Sequence, residues 1–348
     1  MTGNIGRFFE DYEIGEEISH ATPRTLAESD NSIYMSIYPS RFAVNSSKQF
    51  AMACGFKDRP LDELIVFHTV FGKTVPDISL NAIANLGYAE GKFFQPVYPG
   101  ETIRAYSTVL GLKQNSSGNS GVVYVRSRGE NQDGKLVLEY IRWVMVKKRE
   151  PLDINFKNKV PELSENVNSC DLQIPDDLNF LEYDKSIAGS DKGFDDYTVG
   201  EFVDHVDGCT IHESDHLFAT RLWQNNSKVH FDTNARVDNK RLIYGGHIIS
   251  LVRALSFNGL ENAQIVFAIN GGSHVNPVFA EDTIYAWSEV LEKFDFESRN
   301  IAALRLRSVG SKVRDNKMQL KDKEGRYLPN IVLDFDYWVL IPKFYKRS

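Results

Sequence analysis

The loop WQNNSKVHFD, from Trp223 to Asp232, gathers side chains able to handle a proton and a water molecule. His230 is its proton carrier, because an imidazole with a reference pKa of about 6.5 can accept a proton and return it near neutral pH. Asn225 cannot act as a base, and its amide is suited to holding water or hydroxyl by hydrogen bonds. Asp232, two residues beyond His230, could orient the imidazole if the loop turns back on itself. A short way on, the turn YGGH from Tyr244 to His247 leads into an apolar helical stretch. Free N–H groups and the helix dipole favour negative charge there, so the Gly246 N–H is the candidate oxyanion donor. Together these residues can carry proton transfer coupled to stabilisation of a developing oxyanion.

The elements that must position them are written twice. FEDYEIGEEISHATPRTLAESD, Phe9 to Asp30, lies without a gap on FDDYTVGEFVDHVDGCTIHESD, Phe194 to Asp215, with ten of 22 positions identical. Chance would give about one or two. The register returns where FQPVYPGETI (Phe94 to Ile103) matches VNPVFAEDTI (Val275 to Ile284), and each copy ends on an aromatic strand with Trp143 and Trp338 in equivalent places. Within each copy an ESD triplet, whose Ser and Asp can cap free N–H groups, precedes a helical stretch, SIYMSIY or HLFATRLW. A second apolar helix follows, LIVFHTVFGKTV or GGHIISLVRALSF, and then strands: TIRAYSTVLGL, GVVYVRSRG and KLVLEYIRWVMV, against DTIYAWSEVL, NIAALRLRSV and NIVLDFDYWVLI. That order predicts an α+β fold, one long helix cradled by an antiparallel sheet in each copy. The expected division is 1–150, a linker over 151–190 that breaks the period and crosses the outside of one copy, and 191–348.

Composition limits the partners. The net charge of −7 leaves no basic surplus for phosphates, so nucleic acid is not an expected partner. No apolar run approaches the length of a membrane helix, and the N-terminus has no secretory core. Three widely spaced cysteines, Cys54, Cys170 and Cys209, suit a reducing cytoplasm. His20 and His205 form a repeat pair, which points to structural service. His212, His216, His247 and His274 lack metal-ligand spacing, and no metal or other cofactor is expected. The glycines of GGSH, 271–274, are better explained by close strand packing than by a phosphate loop.

The Trp223–Asp232 loop resembles the D-x-N-P-(I/L)-H loop of the MaoC-like hydratases, double-hotdog relatives of the R-specific enoyl-CoA hydratases. His230 falls on that family's His and Asn225 on its Asp, while Gly246 aligns with the glycine of its H-G-M turn. In the first copy YPSRFAVNSS, Tyr38 to Ser47, puts Ser40 and Asn45 at the two loop positions, and Phe67 is expected at that of Gly246. The blocks ATPRTLAESD, SRFAVNSS, QNNSKVHFD and AGSDKGFDDYTVGE are similar to mesaconyl-CoA hydratases, also called β-methylmalyl-CoA dehydratases.

The resemblance implies a double hotdog fold, a degenerate first copy, a catalytic second copy, and a cofactor-free hydro-lyase acting on a short dicarboxylic acyl-CoA. It also implies a cation for the substrate's free carboxylate, for which Lys228 and Arg41, in equivalent loops, are the candidates. A homo-oligomer is expected. A hydratase or thioesterase for another acyl-CoA and a non-catalytic acyl-CoA binder remain as alternatives; free thiol release would mark the thioesterase, and ligand binding without turnover the binder.

Overall fold

The computed structural model describes residues 3–150, 158–172, 174–297, 299–314 and 317–344. In the first half these form β1 (Glu17–Thr25), α1 (Glu28–Ile37), α2 (Ala43–Ser46), α3 (Lys48–Ala53), α4 (Glu63–Thr74), β2 (Ala82–Phe93), β3 (Thr102–Gln114), β4 (Ser120–Glu130) and β5 (Leu136–Lys147). After α5 (Lys185–Ala188) come β6 (Phe202–Thr210), α6 (Glu213–Leu222), α7 (Gly245–Leu255), β7 (Ile265–His274), β8 (Thr283–Asp295), β9 (Ile301–Ser311) and β10 (Ile331–Pro342).

All ten strands join in one antiparallel sheet, in the order β1-β3-β4-β5-β2-β7-β10-β9-β8-β6. The second half of that order is the first half reversed, as a pseudo-twofold axis between β2 and β7 requires. The seam pairs Tyr88 with Gly272 and Gly91 with Ile269. A β-carbon on Gly272 would stand 2.9 Å from the Tyr88 ring and one on Gly91 2.8 Å from the Ile269 side chain, so glycine is what lets the halves close up. The close packing expected of GGSH is what these glycines provide.

Helix α4 is buried on every side from Leu64 to Thr74, its polar His68, Thr69 and Lys73 included; α7 is buried from Gly246 to Leu255. A helix with no face left to solvent must be covered all round, which the curved sheet achieves. Both helices contribute to one core cluster, Val70 and Phe71 from α4 with Ile248 and Val252 from α7, so the repeats share their interior. In α1 the helix starts at Glu28 and the Asp30 carboxylate reaches back to the Ala27 N–H at 2.6 Å, so the acid of the ESD triplet does the capping without its serine.

The repeat shows in its polar details as well. His20 bonds Asp77 and Ser107 at 2.8 Å each, and His205 bonds the Asn258 carbonyl and Ser288 at 2.7 Å each. Both rings tie the sheet to the end of a central helix. Of the stretch expected to link the copies, 151–157 lies outside the described residues. Beyond it Lys159 bridges Leu112, the Val167 N–H donates to Asn270 at 2.8 Å, and Leu172, Leu178 and Phe180 are buried.

Candidate active site at the seam

A cavity of about 330 Å³ opens between the halves. The second half lines it with Asn225, His230, the Leu242–Gly245 turn and the segment His274–Val278. The first half supplies Phe71, Ser79, Asn85, Tyr88 and Arg142. The Trp223–Asp232 loop expected to carry the site lies in the second copy, and residues of the first copy complete the cavity around it.

His230 closes a single 3-10 turn, Lys228–His230, and is 8% exposed. Its Nδ1 bonds the Leu242 carbonyl at 2.7 Å, and because a carbonyl only accepts, Nδ1 carries the proton and Nε2 keeps the lone pair. Burial pulls its pKa down to about 4 against the opposing effect of the Leu242 bond, so the ring is neutral and able to act as a base. The Leu242 N–H returns to the Val229 carbonyl at 2.9 Å, locking the two loops together. Asp232, in contrast, caps the next turn by accepting from the Asn234 N–H at 2.9 Å; the role of orienting the imidazole falls to Leu242.

Asn225 is 2% exposed, and its Oδ1 accepts from the Ser227 N–H at 3.1 Å. That bond shapes the loop and leaves the side-chain NH2 as the group available to a ligand. The YGGH turn becomes the first turn of α7, where the Gly245 and Gly246 N–H groups have no backbone acceptor. Tyr244 and Gly245 line the cavity, whereas Gly246 packs against the Tyr244 ring, 2.5 Å from where its β-carbon would be. Counted from the starts of α4 and α7, Gly246 matches Leu64 and not Phe67.

Lys228 and Arg41 are exposed and lie outside the cavity lining, Arg41 stacking on Phe257 at 4.4 Å. Two arginines line the cavity: Arg236, whose Nε and Nη2 are taken up by Asp238 at 3.0 and 2.7 Å, and Arg142, in the strand EYIRWVMV. A charge inside an apolar strand was the signal for it. His274 and Tyr88, also in the wall, face each other across the seam with Nε2 and the hydroxyl 3.3 Å apart. His216 accepts the Tyr244 N–H at 3.1 Å and so braces the turn. Among the described residues no group of three or more His, Cys, Asp or Glu could hold a metal.

The pseudo-twofold counterpart of this cavity has shrunk to about 30 Å³, lined by Phe93–Pro96, Ile265–Phe267 and, from the linking stretch, Pro175 and Leu178. Where Gly245 opens α7, α4 has Glu63, whose carboxyl is pushed well above the usual range by burial and by Asp62. Asn45, at the position of His230, is buried with both side-chain polar atoms unpaired.

The family model described as mesaconyl-CoA hydratase matches residues 1–188, the part that contributes α4, β2 and Arg142 to the cavity. The mesaconyl-CoA hydratase of Cereibacter sphaeroides is 56% identical over 343 residues, covering 99% of this chain and 100% of that protein. The β-methylmalyl-CoA dehydratase of Chloroflexus aurantiacus is 54% identical over 345 residues, 98% of each chain. A crystal structure of a MaoC domain dehydratase from Chloroflexus aurantiacus superposes with a TM-score of 0.96 at 53% identity, over 99% of both chains. A Mycobacterium tuberculosis protein with a double hotdog fold superposes at 0.74 with 22% identity, over 96% of this chain and 98% of its own, a likeness of fold. The fold is the double hotdog, and the chain belongs to the mesaconyl-CoA hydratase family.

Proposed function

We propose that the protein catalyses the reversible addition of water to mesaconyl-C1-CoA, giving β-methylmalyl-CoA, in the seam cavity. The observation that carries the reading is His230, held in one tautomer with its basic nitrogen free, in a cavity it shares with Asn225 and the α7 turn. In the hydration direction Nε2 takes a proton from water as the oxygen bonds to C3 of the enoyl thioester. The electron pair of the double bond moves to C2 and the thioester oxygen, making an enolate. The Gly245 N–H, at the cavity wall at the start of α7, is assigned to that oxyanion, with the Gly246 N–H next along the same helix start and the helix dipole in support. The imidazolium then gives its proton to C2, so the one taken from water is returned and no cofactor is consumed. Asn225 is assigned to holding the water through its NH2 group.

The assay is loss of the conjugated double bond when purified protein meets mesaconyl-C1-CoA, with free thiol measured alongside. Hydration without thiol release supports the reading; thiol release would make the protein a thioesterase, and binding without turnover a carrier. We further propose a cytoplasmic homo-oligomer. No helix among the described residues is long and apolar enough to cross a membrane, and exposed Ile187, Val199 and Phe202 are available for subunit contacts. The mass in solution by light scattering tests the oligomer.

A further inference from the structure

We infer that Arg142 is the receptor for the free carboxylate of the substrate, and that it selects dicarboxylic over methyl-ended enoyl thioesters. The inference rests on the hydratase reading above and specifies its substrate.

Arg142 is 0% exposed, yet no carboxylate among the described residues pairs with it. Its Nη2 donates to Thr74 Oγ1 at 2.7 Å, and its guanidinium stacks on Phe71 at 4.2 Å. Nε and Nη1 have no partner. A buried cation with unused donors costs several kcal/mol unless an anion meets it. The fold does not demand that cost. In the second copy the matching position, one residue before Trp338, is Tyr337, fully buried and satisfied by Ser308 Oγ at 3.0 Å. The same strand of the same fold thus packs well with a neutral side chain.

Its place in the cavity gives the charge a use. Arg142 lines the same cavity as His230, with Ser79 Oγ 3.5 Å from its Nη2, and Asn85, also in the lining, has both side-chain polar atoms unpaired. Unlike Arg236, which Asp238 already neutralises, Arg142 is thus the lining arginine with donors to spare. A carboxylate can accept from an unpaired N–H of the guanidinium and offer a further lone pair to an amide NH2. In mesaconyl-C1-CoA the carboxylate is attached to the carbon that accepts water, so its receptor must share the cavity with the base, as Arg142 does. Because the residue is part of the wall and not a projection from it, seating the anion requires side-chain rotation at Asn85 or Ser79.

The experiment compares mesaconyl-C1-CoA with 2-methylcrotonyl-CoA, the same skeleton with a methyl in place of the carboxylate. A site built to pair a polar group rejects the analogue lacking it by on the order of 10⁴-fold, so the wild type should favour the dicarboxylic thioester by that order in kcat/KM. Arg142→Gln should collapse this preference, raising KM for mesaconyl-C1-CoA by about 10²-fold or more while leaving turnover of 2-methylcrotonyl-CoA unchanged or improved. Thr74→Val removes the nearer of the two hydroxyls that hold Nη2, leaving Ser79 Oγ at 3.5 Å, together with the bond from Thr74 Oγ1 to the Phe71 carbonyl. It serves as the milder second variant should Arg142→Gln not fold, and it should weaken the preference in the same direction. Equal loss on both thioesters, or a preference that survives in the folded variants, would overturn the role of Arg142 while the hydratase reading stood. A wild type that hydrates neither thioester would overturn the hydratase reading itself and this inference with it.

Discussion

Gly72 of helix α4 lies so close to Trp223 that a β-carbon on it would stand 1.9 Å from the Trp223 carbonyl oxygen and 3.4 Å from the Asn225 nitrogen. A helix of the first repeat thus forms the seat on which the Trp223–Asp232 loop of the second is laid. Gly72→Ala must push that loop away. Misplacement by about 1 Å can cost on the order of 10²-fold in rate, and the clash about 1–3 kcal/mol in stability. Steady-state kinetics alongside thermal unfolding should show the first exceeding what the second explains.

His230→Ala should lower turnover by roughly 10²- to 10⁴-fold, as expected when a general acid/base is lost, with thioester binding retained by calorimetry. Asn225→Ala should fall between that variant and wild type, because it removes the water-holding amide and the bond to the Ser227 N–H but leaves the proton carrier. Asn45→Ala should leave activity nearly unchanged, since the side chain carries no proton and makes no hydrogen bond to lose. Loss of activity in Asn45→Ala with retention in His230→Ala would place the acid/base group in the wrong half.

The buried histidines fix an acid-side pH dependence. Burial lowers His230, His205 and His274 to about 4, His68 and His247 to about 3, and His216 to about 2. The unfolded chain, with histidines near 6.5, binds more protons than the folded one below that pH, so stability falls as pH drops from 6.5 toward 4. Each histidine contributes up to about 1.4 kcal/mol per pH unit in that window. Denaturant midpoints measured between pH 7.5 and 5 should decline steeply. The base form of His230 persists throughout, so kcat/KM should show no acid limb near 6.5 before unfolding begins.

Chelators, and added nicotinamide or flavin cofactors, should leave activity unchanged, because every proton in the proposed reaction is handled by His230. Activity lost to a chelator and restored by zinc would overturn that chemistry.

Much of this was legible in residue order. The duplicated FEDY and FDDY segments announced the tandem repeat, and the contrast between Asn45 and His230 singled out a loop that the structure brings to the seam cavity. The seam strands were not announced: β2, AIANLGYAEGKF, carries glycines that weaken any strand pattern, and their reason is Trp143 and Ile269 pressing from neighbouring strands. Arg142 was passed over because loop position was used to seek the cation, favouring Lys228 and Arg41. On the proposal that Arg142 meets the substrate carboxylate, the cation is buried with its partner, and burial is visible only in the packing. The mismatch at Phe67 arose because the offset between copies drifts through loops of unequal length.

The stretch that joins the repeats places Pro175 and Leu178 against the disused counterpart cavity. Two separate chains paired about a true twofold axis would build that cavity and the seam cavity alike, and every substitution would appear in both. Fusion ends that obligation. Each half needs to supply only one side of one site, the loop from the second and the wall from the first. The first loop and the counterpart cavity are thereby free to become packing, which leaves one asymmetric pocket, lined by Arg142 of one repeat and His230 of the other and supported by the core of two.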